Sequence, residues 1–99
     1  MKISVQSIHF DADSKLLNFI QEKVDKLLHF YDQIISGEVS LKLDRSNDMQ
    51  NKIVQIKIQL PGNDIIAREQ RKTFEEATDL CMDSLSRQII RHKEKIKGL

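Results

Sequence analysis

Apolar and polar residues alternate along three stretches of the chain, with the period of two that is typical of strands with one buried face. In the second stretch, for example, Val39, Leu41 and Leu43 lie on one side, while Ser40 and Lys42 lie on the other. The alternation predicts strands at residues 1–10, 38–44 and 52–60.

Turn-forming residues follow two of these strands. The stretch RSNDMQN at 45–51 has turn composition and no periodicity, which predicts a hairpin loop between the second and third strands. After the third strand, Pro61 fixes φ and Gly62 can adopt a positive φ, and Asn63 completes a turn signature. We therefore expect a second hairpin that leads into a short fourth strand at 65–69.

A longer stretch, DSKLLNFIQEKVDKLLHFYD at 13–32, has apolar residues at helical spacing. Asp13 or Ser14 provides an N-cap, because the side-chain oxygens of these residue types accept bonds from the free N–H groups of a first turn. The pattern predicts an amphipathic helix that ends near residue 30.

The second predicted helix begins at a capping box, in which Thr73 and Glu76 are separated by three positions. Neither Pro nor Gly interrupts the chain from there until Gly98, so the helix can continue through the C-terminal stretch. Its predicted buried stripe consists of Phe74, Ala77, Cys81, Leu85, Ile89, His92 and Ile96.

The order of these elements is β-α-β-β-β-α, and each strand is apolar on one side only. Two amphipathic helices can cover that side, which predicts an α/β fold of the α+β kind, a two-layer sandwich with both helices on one face of a four-stranded sheet. The outer face of the sheet should be polar and carry Lys2, Lys42, Lys57 and Arg68. With 99 residues, the chain is expected to form a single domain, 1–99.

Composition narrows the classes of function. The formal net charge is only +1 and aromatic residues make up 5%, so neither a polybasic tail nor a base-stacking platform is indicated. The single Cys81 cannot form an internal disulfide, and no secretory signal is recognisable, which predicts a cytoplasmic protein. No apolar stretch approaches the roughly 18 residues of a membrane span.

The positive charges are concentrated at the C-terminal end. Arg87, Arg91 and Lys95 recur at i, i+4 and i+8 and form a ridge on one flank of the second helix, whereas Lys93 and Lys97 lie on the opposite flank. Cations complement a helix C-terminus, so an ordinary solvated helix end remains an alternative. Five cations nevertheless exceed what this effect requires.

The first helix carries a second basic row. Lys23 lies on the apolar arc, where an unpaired ammonium is too costly, so it must extend to solvent or reach a partner. Lys26 and His29 follow at i+3 and i+6. If the helices are adjacent, we expect this row and the ridge of Arg87, Arg91 and Lys95 to face one groove. Separated cations of this kind suit a polyphosphate backbone.

Other chemistry is less well supported. His9, His29 and His92 lack metal-ligand spacing, and His92 is interpreted as a satisfied histidine at the core boundary. Cys81 is interpreted as a small core residue, and Asp79 and Asp83 as solvated carboxylates. No cofactor-binding or nucleophile motif is present, so we expect no metal, no cofactor, no small-molecule substrate and no enzyme activity. The apolar stripe of the second helix is committed to the sheet, which argues against membrane binding.

The two helices resemble those of the ribosome hibernation-promoting factors, a family also called ribosome-associated inhibitors or sigma-54 modulation proteins. The segment LLNFIQEKVDKLLHFYDQI is similar to the family's first helix in its spaced lysines and its trailing aromatic-Asp pair. The segment FEEATDLCMDSLSRQIIRHKEKIK is similar to the second in its aromatic start, its Arg87-Gln88 pair and its basic ending. The resemblance covers essentially the whole chain and is that of a short family form.

The resemblance implies a domain similar in architecture to double-stranded RNA-binding domains. It also implies a factor that binds the small ribosomal subunit, 16S rRNA and neighbouring ribosomal proteins, at the decoding region. There it would block mRNA and tRNA and inhibit translation in resting, stressed or stationary-phase cells. A second hibernation factor is a further partner that the resemblance allows. The alternative is a protein-interaction regulator, such as a sigma-54 modulator.

The resemblance also assigns site residues. The family's RNA-contacting positions fall on Lys23, Lys26, His29, Arg87, Arg91 and Lys95, and Lys93, Lys97 and Arg68 would extend the positive surface. One family lysine in the second helix is replaced by Ser84.

Overall fold

The computed structural model of the chain describes residues 2–8, 10–44 and 50–96. Within these ranges, four strands and two helices follow the predicted order β-α-β-β-β-α. The elements are β1 (Lys2–Ile8), α1 (Ser14–Phe30), β2 (Ser36–Leu43), β3 (Lys52–Leu60), β4 (Asn63–Arg71) and α2 (Phe74–Ile96).

The strands form one mixed sheet in the order β1-β2-β3-β4. β1 and β2 are parallel, with Val5 opposite Val39, and α1 makes the crossover that a parallel pair needs. β2, β3 and β4 are joined as antiparallel neighbours. The predicted fold class, α+β with a four-stranded sheet, is confirmed.

The alternation along the strands separates a buried inner face from a polar outer face. Ile56 and Ile58 of β3 are fully buried, whereas Gln55 between its buried neighbours is exposed. The core lies between the inner face of the sheet and the helices. The helices contribute Ile20, Val24, Leu27, Phe74, Ala77, Cys81, Leu85 and Ile89 to it. The predicted stripe on α2 is thus confirmed for its residues up to Ile89, and His92 is also buried, whereas the side chain of Ile96 lies outside the description.

The helix starts follow from local hydrogen bonds. Asp13 is the N-cap of α1, and its Oδ1 accepts a bond from the N–H of Leu16 at 2.8 Å. Thr73 Oγ1 accepts from the N–H of Glu76 at 3.1 Å and caps α2. Among the described residues, neither helix is long and apolar enough to cross a membrane.

Two of the predicted strands, the second and the fourth, have different bounds in the structure. β4 extends beyond 65–69, because the turn at Gly62, where φ is 76°, pairs Asn63 directly with Leu60. β2 starts at Ser36, before the predicted residue 38, and includes Gly37. A Cβ atom at Gly37 would lie 3.2 Å from Ile58 Cδ1, so this buried position favours glycine for close packing.

Two further predictions lie partly outside the described residues. The predicted loop 45–51 is described only at Gln50 and Asn51, and the main-chain N–H of Asp44 donates to the carbonyl of Asn51 at 2.8 Å. The predicted strand 1–10 is observed as β1, which ends at Ile8, and Phe10 lies beyond the strand, whereas Met1 and His9 lie outside the description.

Candidate nucleic-acid interface

The two helices lie side by side and run in the same direction. Near their starts, the ring of Phe10 stacks on that of Phe74 with centroids 5.1 Å apart. Near their ends, the Lys93 ammonium lies 4.7 Å from the centroid of the Phe30 ring. The C-terminal ends of both helices therefore meet at one end of the molecule.

Charge is distributed unevenly along this helix layer. In α2, the exposed carboxylates come first and the cations last, with Glu94 as the exception, an order that complements the helix macrodipole. The carboxylates of the first half are Glu75, Glu76, Asp79 and Asp83, and the cations of the second half are Arg87, Arg91, Lys93 and Lys95. We call the end where both helices terminate the basic end.

Lys23 reaches a partner, which is one of the two outcomes expected from its place on the apolar arc of α1. Its Nζ lies 3.2 Å from Asp79 Oδ1 across the gap between the helices and 5.3 Å from the centroid of the Phe19 ring. With side chains 30% and 55% exposed, Lys23 and Asp79 form a solvent-accessible pair of small stabilising effect. Asp79 is solvated, as the sequence indicated, and in addition forms this ion pair with Lys23.

The groove between the helices has a volume of about 530 Å³. From α1 it is lined by Lys23, Lys26, Leu27 and Phe30, and from α2 by Asp79, Met82, Asp83 and Ser86. The second wall therefore carries carboxylates where a basic row was expected. The prediction that the ridge of Arg87, Arg91 and Lys95 faces Lys23 and Lys26 across a shared groove is wrong for the described residues.

The orientation of α2 explains this difference. Gln88 Nε2 donates to the main-chain carbonyl of Ile66 in β4 at 3.0 Å and to Ser84 Oγ at 3.1 Å, so this side of α2 lies over β4. Residues seven positions apart share a side of a helix, which places Arg91 with Ser84 and Lys95 with Gln88. The end of the ridge is therefore on the flank of α2 that is turned away from α1.

Five of the predicted site residues are nevertheless exposed on the helix layer, and four of them are lysines or arginines while the fifth is a histidine. Within the described part of the chain, no hydrogen bond or ion pair holds their charged groups, so these groups are free to bind an anion. They are Lys26, His29, Arg87, Arg91 and Lys95.

Lys93 is placed differently. Its flank of α2 faces α1, and its Nζ lies 5.1 Å from the centroid of the Tyr31 ring in addition to its contact with Phe30. The same Nζ donates to the main-chain carbonyl of Phe30 at 3.5 Å. Lys93 thus has an internal role at the end of α1, which the sequence did not reveal.

Arg68 is remote from the helix layer. It lies on the outer face of the sheet, in a shallow depression that it shares with Lys42 and Gln55. Lys57 is on the same face and forms an ion pair with Asp64 at 3.6 Å. The polar outer face is confirmed for Lys42, Lys57 and Arg68, but Arg68 does not extend the basic end. The side chain of Lys2 and all of Lys97 lie outside the described residues.

His92 and Cys81 occupy the core side of α2. His92 is 8% exposed and meets the edge of the Tyr31 ring, and among the described residues its Nε2 has no hydrogen-bond partner. The interpretation of His92 as satisfied is therefore wrong for this nitrogen. Cys81 donates weakly to the carbonyl of Val54 at 3.5 Å, as expected of a small core residue. In the described ranges, no group of His, Cys, Asp and Glu could hold a metal ion.

Two exposed apolar side chains at the basic end were not foreseen. Phe30 is 44% exposed and Ile90 is 45% exposed. For Ile90 a signal was available, because its helical position falls outside the buried stripe of α2. For Phe30 the sequence signal for exposure was weaker, because this residue ends the helix and is followed by the buried Tyr31.

Comparisons with known proteins agree with this architecture. The ribosome hibernation promoting factor of Pseudomonas putida is 27% identical over 99 residues, which cover 100% of this chain and 93% of that protein. The solved structure of a ribosomal subunit interface protein from Coxiella burnetii has a TM-score of 0.83 at 22% identity and covers 94% of this chain and 98% of its own. That of the Thermus thermophilus Protein Y N-terminal domain has a TM-score of 0.78 at 20% identity, with 93% and 99% covered.

The sequence profile of one family matches residues 3–97, which is nearly the whole chain. This protein therefore belongs to the family described as Sigma 54 modulation protein / S30EA ribosomal protein.

Proposed function

We propose that this protein is a ribosome hibernation factor that binds RNA of the small ribosomal subunit through the basic end of its helix layer. The observation that carries the proposal is the group of exposed cations, without ion-pair partners among the described residues, at one end of a chain whose net charge is only +1. The name of the Pseudomonas putida relative supports the ribosomal target.

Phosphate groups are the expected ligands of the basic end. Arg87, Arg91 and Lys95 present cations along one helix flank, and Lys26 presents another on α1. Such contacts fix position on an RNA backbone and read no sequence by themselves. His29 adds a charge only when protonated, and Lys23 adds one only when it exchanges Asp79 for a phosphate. Lys97 continues the basic sequence and is included in the proposal.

Inhibition would follow from occupancy, without chemistry. The described body measures 47 × 24 × 18 Å along its principal axes. A folded object of this size at the decoding region would exclude mRNA and tRNA and keep idle ribosomes inactive. In this proposal, residues 1–99 act as one ribosome-binding domain in the cytoplasm, with no enzymatic step, and a second hibernation factor is a further partner.

The test is co-sedimentation with small subunits at increasing salt concentration. Alanine at Arg87, Arg91 and Lys95 removes three phosphate contacts, so the binding should weaken and the slope of log K against log salt should fall by about two to three. Circular dichroism should show an unchanged fold, because all three side chains are exposed.

The matched control removes three exposed cations elsewhere, by alanine at Lys15, Lys42 and Lys72. This variant has the same change in net charge, so it should keep most of the affinity and the original salt slope. Undiminished binding of the first variant, or equal losses in both, would contradict the assignment of the basic end.

The family description also contains sigma 54 modulation, which favours a second candidate, a regulator that binds a protein partner. The outer face of the sheet, with Ile66 51% exposed beside polar residues, would then be the working surface. A pull-down from stationary-phase lysate, with and without RNase, separates the two functions. The ribosomal function predicts that the captured material is lost on RNase treatment.

A further inference from the structure

Phe30 combines exposure with a fixed position. It lies in the last turn of α1, lines the groove between the helices, and is 44% exposed. Only 5% of the residues in this chain are aromatic. Burying such a ring would stabilise the fold, so an exposed Phe30 gives up part of that stabilisation.

Lys93 fixes the orientation of this ring. Its ammonium lies over the face of Phe30, 4.7 Å from the ring centroid, and over the neighbouring Tyr31 ring at 5.1 Å. The bond from Lys93 Nζ to the Phe30 carbonyl, 3.5 Å long, anchors the same lysine to the backbone. A cation thus lies over one face of the Phe30 ring, and the exposure of the residue leaves the rest of its surface accessible to a ligand.

The surroundings of Phe30 favour a nucleotide. Lys26 lines the same groove, together with Asp79 and Asp83, and Lys93 lies over the ring. Arg91 and Lys95 are exposed at the same end of the molecule, on the flank of α2 turned away from α1. A protein partner that covered an apolar ring would also have to neutralise these cations, whereas a nucleotide brings a phosphate and a flat apolar base together. Aromatic side chains beside a basic track are how single-stranded nucleic acid is held without sequence readout.

We propose that Phe30 stacks on an unpaired base of the bound RNA, with Lys93 holding the ring in place and the neighbouring cations contacting the flanking phosphates. This inference rests on the proposed function and names the structural class of its ligand, a single-stranded nucleotide. It adds a contact that charge alone does not provide.

A fluorescent substitution tests the stacking directly. The chain contains no Trp, so F30W introduces a single indole at this position. Its emission should be quenched when a short single-stranded oligoribonucleotide binds, and should stay nearly unchanged when inorganic polyphosphate binds, because polyphosphate has no bases. The control is I66W, at a position 51% exposed on β4 in the sheet, whose emission should not respond to either probe.

Affinity for small subunits provides the second readout. F30A and F30L should each bind about tenfold more weakly, because one base–aromatic contact is lost, while the salt slope stays that of the unmodified chain. F30L keeps apolar bulk, so its loss of affinity would identify the aromatic face as the cause. F30W should restore the affinity.

Three results would overturn the inference. They are unchanged subunit affinity of F30A, equal quenching of F30W by polyphosphate, and weakened subunit binding of F30A without any quenching of F30W by RNA, which would indicate a protein contact. If the proposed function is wrong, the unmodified chain will not sediment with small subunits at all. The fluorescence measurement with the oligonucleotide would still test whether Phe30 stacks on a base.

Discussion

Cys81 illustrates how position in the core sets the chemistry of a residue. Its side chain is fully buried on α2, and burial is the main cause that raises the pKa of the thiol from 9.0 to about 12, with a smaller contribution from the negative charge of Glu69. The thiol is thus kept protonated, and a reactive or ligating role for Cys81 is disfavoured.

This shift predicts a pH dependence of stability that disappears in C81A. The pKa of the folded thiol is raised, so between pH 9 and about 12 the folded state binds a proton that the unfolded state has lost. The free energy of unfolding is unaffected below pH 9 and falls as the pH rises above it. Urea unfolding from pH 7 to 10.5 should show this additional fall in the unmodified chain.

C81A isolates the effect, because all other titrating groups are shared. Ala leaves a small cavity, so the variant should be less stable overall, and the comparison concerns the slope with pH. The stability difference between the two proteins should narrow above pH 9. A constant difference across the range would show that the thiol ionises equally in both states.

At the scale of elements, periodicity identified three strands and both helices in the described residues, because each has a single buried face, and the turn at 61–63 located the fourth strand. The boundaries were harder to predict. Gly37 continues β2 because Ile58 on the neighbouring strand packs close to its Cα, which is a contact between residues distant in sequence. β4 is longer than expected because pairing with β3, from Asn63 to Arg71, supports residues that have weak strand signals of their own.

The candidate site also depends on contacts between residues distant in sequence, which local patterns do not reveal. Helical spacing gave the relative positions of Arg87, Arg91 and Lys95 correctly, but it does not tell how α2 is rotated about its axis. That rotation is visible in tertiary contacts, such as the bond from Gln88 to the Ile66 carbonyl. The sequence predicted that Lys23 must reach either solvent or a partner, whereas its pairing with Asp79 depends on how the helices pack.

The pair between the helices leads to a prediction about affinity. D79N removes the carboxylate 3.2 Å from Lys23 and frees the lysine for phosphate. Binding to small subunits should strengthen severalfold at low salt, and the salt slope should rise by about one. Stability should change by less than about 1 kcal/mol, because the pair is solvent-accessible.

Two variants separate release of Lys23 from a general loss of negative charge. D83N removes another carboxylate of the same groove, and should raise the affinity less, because Asp83 holds no lysine among the described residues. K23Q/D79N should lose the added salt slope. If D83N matched D79N in both affinity and slope, the gain would come from charge alone and the role of Lys23 would be refuted.

At the scale of the whole molecule, near-zero net charge is compatible with polyanion binding because the charges are separated. The parallel direction of α1 and α2 brings the negative ends of both macrodipoles together, and cations at these ends stabilise the helices. The same cations remain exposed toward a ligand. One set of side chains at the basic end thus both stabilises the fold and forms the proposed RNA-binding surface.

This separation predicts which lysines the ribosome protects. Acetylation of the complex with small subunits, followed by mass spectrometry, should leave Lys26 and Lys95 unmodified relative to the free protein, because they lie at the basic end. Lys42 on the outer face of the sheet should react equally in both states, as should Lys15 near the starts of the helices. Because lysines serve as internal references for one another, no substitution is needed. Protection of Lys42 with continued reactivity of Lys26 and Lys95 would mean that the sheet faces the ribosome, and the proposed orientation would be wrong.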